Sequence, residues 1–212
     1  MSQLQPYFSI ETEVVAEIVV KASKFIARGA PVSEQSEADN YVKTIAKRFH
    51  DATHNCFAYK IGTGDNAVFR FSDAGEPSGT AGRPILQAIE SKDLTNVVVI
   101  VTRYFGGTKL GTGGLIRAYS GAALAALNKA KIITSYPNTT LRLQFSYQLT
   151  NAVHQAVEKY HARILVSAFE EDTIYTIELK AADEVGFQEM VRDLTAGKIQ
   201  MDKSKCQNPN AK

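Results

Sequence analysis

The sequence predicts an α+β protein of two domains. Segments in which apolar residues alternate, as in strands, are interleaved with segments in which they recur at helical spacing. A polar stretch with a proline at residues 135–140, SYPNTT, separates one set of these segments from the next. We therefore expect a domain over residues 1–135, a second over residues 136–204, and a disordered tail over residues 205–212.

The N-terminal segments predict a sheet with three helices. Strands are expected at 13–20 and 24–31, at 56–61 and 68–71 around the turn Gly-Thr-Gly-Asp-Asn, and at 97–101. The last of these is the uninterrupted run VVVIV, which indicates a central strand buried on both faces. Ser33 is the expected N-cap of the first helix, and further helices are expected at about 85–91 and 115–131.

The C-terminal segments predict a smaller domain. A strand at 141–147 precedes a helix capped by Thr150, then a hairpin with strands at 164–169 and 173–179. A second helix, capped by Asp183, precedes a short strand near Ile199. The order β-α-β-β-α-β is that of the ferredoxin-like split motif.

Composition excludes several classes of protein. The chain has 212 residues, is 44% hydrophobic and carries a net charge of +2. Its longest apolar run, residues 97–101, is far shorter than the ~20 residues of a membrane span. No basic segment followed by an apolar one opens the chain, and Cys56 and Cys206 are the only cysteines. We expect a cytoplasmic protein with no membrane partner and no disulfide framework.

The distribution of charge is uneven. No Asp or Glu occurs between Asp93 and Glu158, whereas six basic residues do. Burial would explain the missing acids, because charges are excluded from cores. It does not explain the retained bases, so the pattern favours a surface that faces anions.

A glycine-rich stretch lies inside this window. The segment RYFGGTKLGTGGLIRAYSGAA starts at Arg103 and holds six of the fourteen glycines. Gly106 and Gly111 have phosphate-loop spacing, but Thr-Gly follows where Lys-Ser/Thr is required. Ile116 occupies the place of the third glycine of a dinucleotide motif. Two interpretations stay open: an anion-binding loop, or a structural crossing from strand to helix.

Other candidate chemistry is weaker. In residues 72–84, Asp73 and Glu76 are expected as side-chain caps, and Arg83 as a second phosphate contact. His50 and His54 have the spacing of a zinc pair, but no pattern supplies further ligands. Cys56 is expected to be a small core residue. We predict no catalytic constellation, no metal site and no cofactor.

Four motifs resemble one family. The segments KASKFIA, THNCFAY, DAGEPSGTAGRP and RYFGGTKLGTGGLIRAYSGA occur in order, and the sequence is similar to the IMPACT/YigZ family over nearly the whole chain. The resemblance implies a first domain like domain IV of elongation factor G and the second domain of ribosomal protein S5. It implies a second domain like domain V of that factor.

The resemblance also implies a function in translational control. Bacterial members of the family have been suggested to bind nucleic acid. Eukaryotic members restrain a kinase of amino-acid starvation and carry an additional RWD-type domain. We do not expect that domain in this sequence, so we do not carry that role over. The expected function is that of a cytoplasmic regulator of translation that binds RNA or the ribosome, with a protein partner as a further possibility.

The residues carried over as surface contacts are Lys24, His54, Arg83, Arg103, Tyr104, Lys109 and Arg117. The matching loop glycines are Gly79, Gly82, Gly106, Gly107, Gly111, Gly113 and Gly114. Two alternatives remain: an enzyme acting on a phosphorylated or other anionic small molecule, which we favour less, and an interaction module for an acidic partner protein.

Overall fold

The computed structural model describes residues 5–64 and 67–203. The predicted tail at 205–212 and Cys206 lie outside the described residues. The chain divides into two compact units, Pro6–Ser135 and a second that begins at Tyr136. Both units combine helices and sheets, which confirms the α+β class.

The N-terminal unit is built on a five-stranded antiparallel sheet with the strand order β2-β3-β6-β4-β5. Its strands are β1 Tyr7–Ile10, β2 Val14–Val20, β3 Ser23–Pro31, β4 His54–Ile61, β5 Val68–Ser72, β6 Val97–Tyr104 and β7 Ile132–Ser135. Its helices are α1 Gln35–Arg48, α2 Gly82–Glu90 and α3 Gly111–Leu127.

Strand β6 is the centre of this unit. It pairs with β3 on one side and β4 on the other, and every residue from Val97 to Val101 is fully buried. Val97, Val99 and Val101 join the core formed with α2 and α3, whereas Val98 joins the core formed with α1. Because alternate residues face opposite sides of a sheet, an apolar run suits a strand covered on both faces. The prediction of a doubly buried central strand is confirmed.

One pairing lies outside the sequence prediction. Strands β1 and β7 form a two-stranded antiparallel sheet in which Tyr7 pairs with Ser135 and Ile10 with Ile132. Each strand is four residues long, and more than a hundred residues separate them. No short turn connects the two strands, so neither turn residues nor the spacing of apolar residues could predict that they pair.

Four helix starts differ from the prediction. Helix α2 begins at Gly82 rather than near residue 85, and Leu149 rather than Thr150 is the N-cap residue of the first C-terminal helix. Helix α3 begins at Gly111 rather than near Leu115, so several loop glycines lie in its first turn. Helix α1 has Glu34, not Ser33, at the N-cap position, and the backbone amide and hydroxyl of Ser33 donate to Glu37. All four differences are within about one turn, and helix ends are the part of a helix that is hardest to define from sequence.

The C-terminal unit follows the predicted order β-α-β-β-α-β. Its strands form an antiparallel sheet in the order β11-β8-β10-β9. Leu141, Leu143 and Ile177 face its core, together with Phe187 and Val191 of its second helix. The elements are β8 Asn138–Phe145, α4 Thr150–Lys159, β9 Arg163–Phe169, β10 Thr173–Lys180, α5 Glu184–Leu194 and β11 Ile199–Lys203.

Candidate functional site

Two glycine-rich loops lead into the two helices that cover one face of the N-terminal sheet. The first loop, residues 73–81, joins β5 to α2, and the second loop, residues 105–110, joins β6 to α3. Glu76 of the first loop contacts Arg103, the residue two before the second loop. The two loops are therefore linked through the interior of the unit.

Asp73 organises the first loop. Its Oδ2 accepts from the amide of Gly79 at 2.8 Å, and its Oδ1 accepts from the amides of Ala81 and Gly82 at 2.9 and 2.8 Å. These donors include the first amides of α2, so the carboxylate acts as the cap that the helix otherwise lacks. Burial works to raise the pKa of Asp73, but the three amide donors outweigh it and the pKa lies below its ordinary value. The predicted capping role of Asp73 is confirmed.

Glu76 does not cap a helix or a turn. Its carboxylate forms an ion pair with Arg103 in the interior of the unit. Only 9% of the residue is exposed, and its Oε1 accepts from Nη1 of Arg103 at 2.5 Å and from the hydroxyl of Tyr119 at 2.8 Å. Arg103 is 5% exposed, and its guanidinium carbon lies 5.5 Å from the ring centres of both Phe25 and Phe105. Charges this deep are tolerated because they neutralise each other.

His54 and Cys56 complete the cluster around Glu76. Nδ1 of His54 lies 2.9 Å from the carbonyl oxygen of Ala74, which can only accept, so Nδ1 carries the proton. Nε2 then faces Oε1 of Glu76 at 3.9 Å. The thiol of Cys56 donates to the carbonyl of Asp73, and burial raises its pKa to about 12. At neutral pH the thiol is therefore protonated and is no nucleophile.

The second loop packs directly on the β2–β3 turn. A Cβ at Gly106 would overlap the backbone carbonyl of Ala22, so only glycine fits there. The buried hydroxyl of Ser23 accepts from the amide of Gly106 at 3.1 Å and fixes this crossing. The start of α2 has a similar contact, because a Cβ at Gly82 would lie 2.7 Å from the backbone nitrogen of Ser72.

Three other glycines of the motifs have open surroundings. No heavy atom would lie within 4 Å of a Cβ at Gly79, Gly107 or Gly111, and all three have positive φ. Gly113 and Gly114 lie in the first turn of α3, where a Cβ at Gly114 would lie only 3.1 Å from Cβ of Leu110. Gly79, Gly107 and Gly111 therefore shape the loops and the helix start, whereas Gly114 also allows close packing there.

The seven predicted contact residues fall into three groups. Arg103 and His54 are cross-strand neighbours beside Glu76, so Arg103 is not placed on the surface. This corrects its assignment as a surface contact: its charge is already neutralised. Lys24 and Tyr104 are also cross-strand neighbours, on the opposite face of the sheet. Lys24 pairs with Glu17 at 2.8 Å, and the Tyr104 hydroxyl donates to Asp51 at 3.1 Å.

The third group is exposed. Arg83 lies in the first turn of α2, Lys109 in the second loop and Arg117 in α3. Among the residues that the structure describes, the side chain of none of the three has a hydrogen bond or ion pair. Arg117 also lines a pocket of about 190 Å³ together with Lys21, and Leu110 and Ala118 form part of its apolar wall. Lys21 was not predicted as a contact, although its place in the KASKFIA motif is a signal for it.

The described residues offer no cluster for a metal. Within 5–64 and 67–203, no three His, Cys, Asp or Glu side chains are grouped so that they could hold an ion. Nδ1 of His50 lies 3.3 Å from the carbonyl of Lys47, whereas His54 faces Ala74 and Glu76. In that same part of the chain, no helix is long and apolar enough to cross a membrane.

The motifs that form these loops match a known family. The family model described as the Impact N-terminal domain matches residues 21–127, which include β3, both loops and α3. The chain belongs to the IMPACT family. The expected relation to IMPACT and YigZ proteins is therefore confirmed.

Bacterial IMPACT family relatives match over most of their length. The IMPACT family member YvyE of Bacillus subtilis is 33% identical, over 92% of this chain and 89% of its own. The IMPACT family member YigZ of Escherichia coli is 32% identical, over 89% and 92%. The crystal structure of a hypothetical protein, 28% identical, covers 95% of this chain and 98% of its own with a TM-score of 0.77.

Proposed function

We propose that this IMPACT family protein is a cytoplasmic regulator of translation that binds RNA or the ribosome. The contact surface is formed by Lys21, Arg83, Lys109 and Arg117. The supporting observation is that Arg83, Lys109 and Arg117 are exposed and lack partners among the described residues, in a chain that has no acidic residue from 94 to 157. Cations without partners are available to phosphate oxygens, which position a nucleic acid without reading its sequence.

Phe105 supplies the stacking contact of this surface. Phe105 directly follows β6 and is 46% exposed, and the guanidinium carbon of Arg103 lies 5.5 Å from the centre of its ring. Single-stranded RNA combines phosphate contacts with bases stacked on aromatic rings. Tyr104 is less suited, because its hydroxyl is held by Asp51 and it lies on the other face of the sheet.

The size of the pocket favours a polymer over a small-molecule substrate. At about 190 Å³, the pocket beside Lys21 and Arg117 is smaller than the roughly 300–1,000 Å³ of typical ligand sites. It can receive one phosphate group of a longer chain. A small-molecule substrate bound at this pocket would extend beyond it.

The finer fold assignments are part of the same proposal. We assign the N-terminal unit, residues 1–135, to the fold of elongation factor G domain IV and the second domain of ribosomal protein S5. We assign residues 136–204 to the ferredoxin-like fold, for which the strand order β11-β8-β10-β9 and the two intervening helices give support. The first assignment resembles proteins of the translation machinery, which agrees with the proposed partner.

A pair of matched triple variants tests the function. Arg83→Ala/Lys109→Ala/Arg117→Ala removes the exposed cations, whereas Lys43→Ala/Lys47→Ala/Arg48→Ala removes three from α1 on the opposite face of the sheet. Binding of a labelled single-stranded RNA and co-sedimentation with ribosomes are measured between low and moderate salt. The first variant is expected to bind more weakly. Its salt slope should be smaller by about 2, because each neutralised phosphate of a single strand contributes about 0.7 to the slope.

The control variant is expected to bind as the wild type does. Equal weakening in both variants would indicate a general charge effect and would contradict the assigned surface. If wild-type protein bound neither RNA nor ribosomes at low salt, the proposal would be wrong. Stabilisation by one nucleotide at micromolar concentration, seen as a rise in melting temperature, would favour the enzyme instead.

A further inference from the structure

Strand β5 forms an exposed apolar edge of the five-stranded sheet. It pairs with β4 on one side, and no described strand pairs with its other side. Val68, Phe69 and Phe71 are 47%, 59% and 41% exposed. Phe69 and Phe71 are two residues apart, so both rings lie on one face of the strand. An unpaired edge with exposed aromatic side chains is a template for another strand.

The other edges of the two larger sheets each carry a feature that opposes strand addition. At β2, Nζ of Lys129 donates to the carbonyl of Val15 at 3.3 Å and so occupies a backbone acceptor of the edge. Strand β9 has a register irregularity opposite Thr176 and Ile177, and β11 carries Asp202 and Lys203. Side-chain cover, bulges and edge charges all prevent strand addition. Among the described strands of these sheets, β5 lacks such protection.

Arg70, the one charged residue of β5, does not protect the edge either. Its Nη1 donates to Oδ1 and Oδ2 of Asp39 on α1, at 3.1 and 3.3 Å. Its guanidinium carbon lies 6.0 Å from the ring centre of Phe57, so the side chain folds over its own sheet. The charge is neutralised within the chain, and the edge beside it stays open.

We propose that β5 pairs with β5 of a second copy of this chain, antiparallel about a two-fold axis at Arg70. The sequence Val-Phe-Arg-Phe-Ser from Val68 to Ser72 is nearly symmetric about that residue. This register places Phe69 opposite Phe71 of the second copy, twice, and Val68 opposite Ser72. Directly opposite aromatic side chains stabilise antiparallel pairs. The two Arg70 side chains meet near the axis, each already paired with its own Asp39.

Symmetry is the reason to choose a second copy over a foreign strand. A two-fold contact uses the same strand from both partners. In this register the phenylalanine rings of one copy lie opposite those of the other, and each Arg70 is already paired with its own Asp39. The dimer would join two five-stranded sheets into one. This inference does not depend on RNA binding, because β5 carries none of the cations proposed for that surface.

Sedimentation equilibrium over a wide range of protein concentration tests the dimer. Wild type is expected to dimerise. Phe69→Lys/Phe71→Lys places like charges opposite each other and is expected to raise the dissociation constant at least about 100-fold. The control is Val15→Lys/Val19→Lys, which charges two equally exposed apolar residues of the β2 edge and is expected to leave the dimer intact. Circular dichroism of each variant checks that it is folded.

Cysteine cross-linking tests the register in a Cys206→Ser background. Phe69→Cys mixed with Phe71→Cys brings the two thiols directly opposite each other, at the Cα separation of about 4.5–5.5 Å that a disulfide accepts. Either variant alone places like positions diagonally, about 7–8 Å apart. We expect the mixture to form disulfide dimers and each single variant to form far fewer.

Three outcomes would overturn the proposal. They are a wild type that is monomeric throughout the concentration range, a dimer unaffected by Phe69→Lys/Phe71→Lys, and equal cross-linking in the mixture and the single variants. If the amides of β5 gained protection from hydrogen exchange only when another protein was added, the edge would bind a foreign strand instead of a second copy.

Discussion

Two groups of charged side chains lie around the glycine-rich loops, and they differ in whether a partner neutralises them. Arg103 is buried, and Glu76 and two aromatic rings surround its guanidinium. Arg83, Lys109 and Arg117 are exposed and have no partner among the described residues. Both groups belong to the same motifs, and both consist of basic residues near glycines.

The difference shows that one motif can have two physical roles. The buried pair links the two loops and the core, because removing either charge would leave the other in a medium of low dielectric constant. The exposed cations contribute little to folding, because water and salt screen them. Substitutions in the buried pair should therefore lower the stability of the protein. Substitutions of the exposed cations should instead weaken binding and leave the stability nearly unchanged.

Removing the buried carboxylate is expected to have the largest effect. Glu76→Gln leaves Arg103 charged, buried and without its counterion, so the free energy of unfolding should fall by about 3–5 kcal/mol. The matched control is Glu17→Gln, which breaks the exposed pair with Lys24 and should cost less than about 1 kcal/mol. Urea denaturation measures both. Similar decreases in the two variants would show that the Glu76 pair is not structural.

Adding a methyl group at Gly106 in the second loop is expected to have the next largest effect on stability. Gly106→Ala forces the loop away from the carbonyl of Ala22 and should destabilise the unit by about 2–3 kcal/mol. Gly121→Ala is the control, because its Cβ would meet only Ile18 at 3.8 Å. In the interior of α3 that change should stabilise the protein by up to about 1 kcal/mol. A tolerated Gly106→Ala would contradict the tight crossing.

The cap of the first loop should have a smaller effect that depends on pH. Asp73→Ala should cost about 1–2 kcal/mol near neutral pH, because three amides lose their acceptor. The pKa of Asp73 is lowered in the folded state, so its stabilisation is present above the ordinary value of about 4. It is lost as the pH falls through the folded-state pKa, and the difference between wild type and variant should narrow there.

The control for this pH dependence is Asp183→Ala. Asp183 occupies the N-cap position of α5 but makes no capping hydrogen bond. Thermal unfolding at a series of pH values compares the two variants. A difference for Asp73→Ala that stays constant down to strongly acidic pH would contradict the capping role of its ionised carboxylate.

The exposed cations should have the smallest effect on stability. Lys109→Ala and Arg117→Ala should each change the free energy of unfolding by less than about 0.5 kcal/mol. Arg103→Ala, in contrast, should destabilise as Glu76→Gln does. Melting temperatures of the three variants measure this directly. If Arg117→Ala lowered the melting temperature as much as Arg103→Ala, the comparison between the two groups would not hold.

Much of this region could be predicted from the sequence, but not the roles of its charges. The glycines, the excess of bases and the capping position of Asp73 are local features that a pattern shows. The partner of Arg103, Glu76, is 27 residues away, in the first loop. Nothing near Arg103 in the chain distinguishes it from Arg117, so the sequence predicted both as surface contacts.

The sequence by itself determined the α+β class, the doubly buried strand β6, the order of elements in the C-terminal unit and membership of the IMPACT family. These features depend on the spacing of apolar residues and on motifs, both of which involve residues close together in the sequence. Only the tertiary structure decided which bases are neutralised, that β1 pairs with β7, and that β5 leaves an apolar edge open. Those features depend on contacts between residues that are distant in the sequence. The electrostatic energy of a charged side chain changes more with its burial in the folded protein than with the identity of the residues next to it in the sequence.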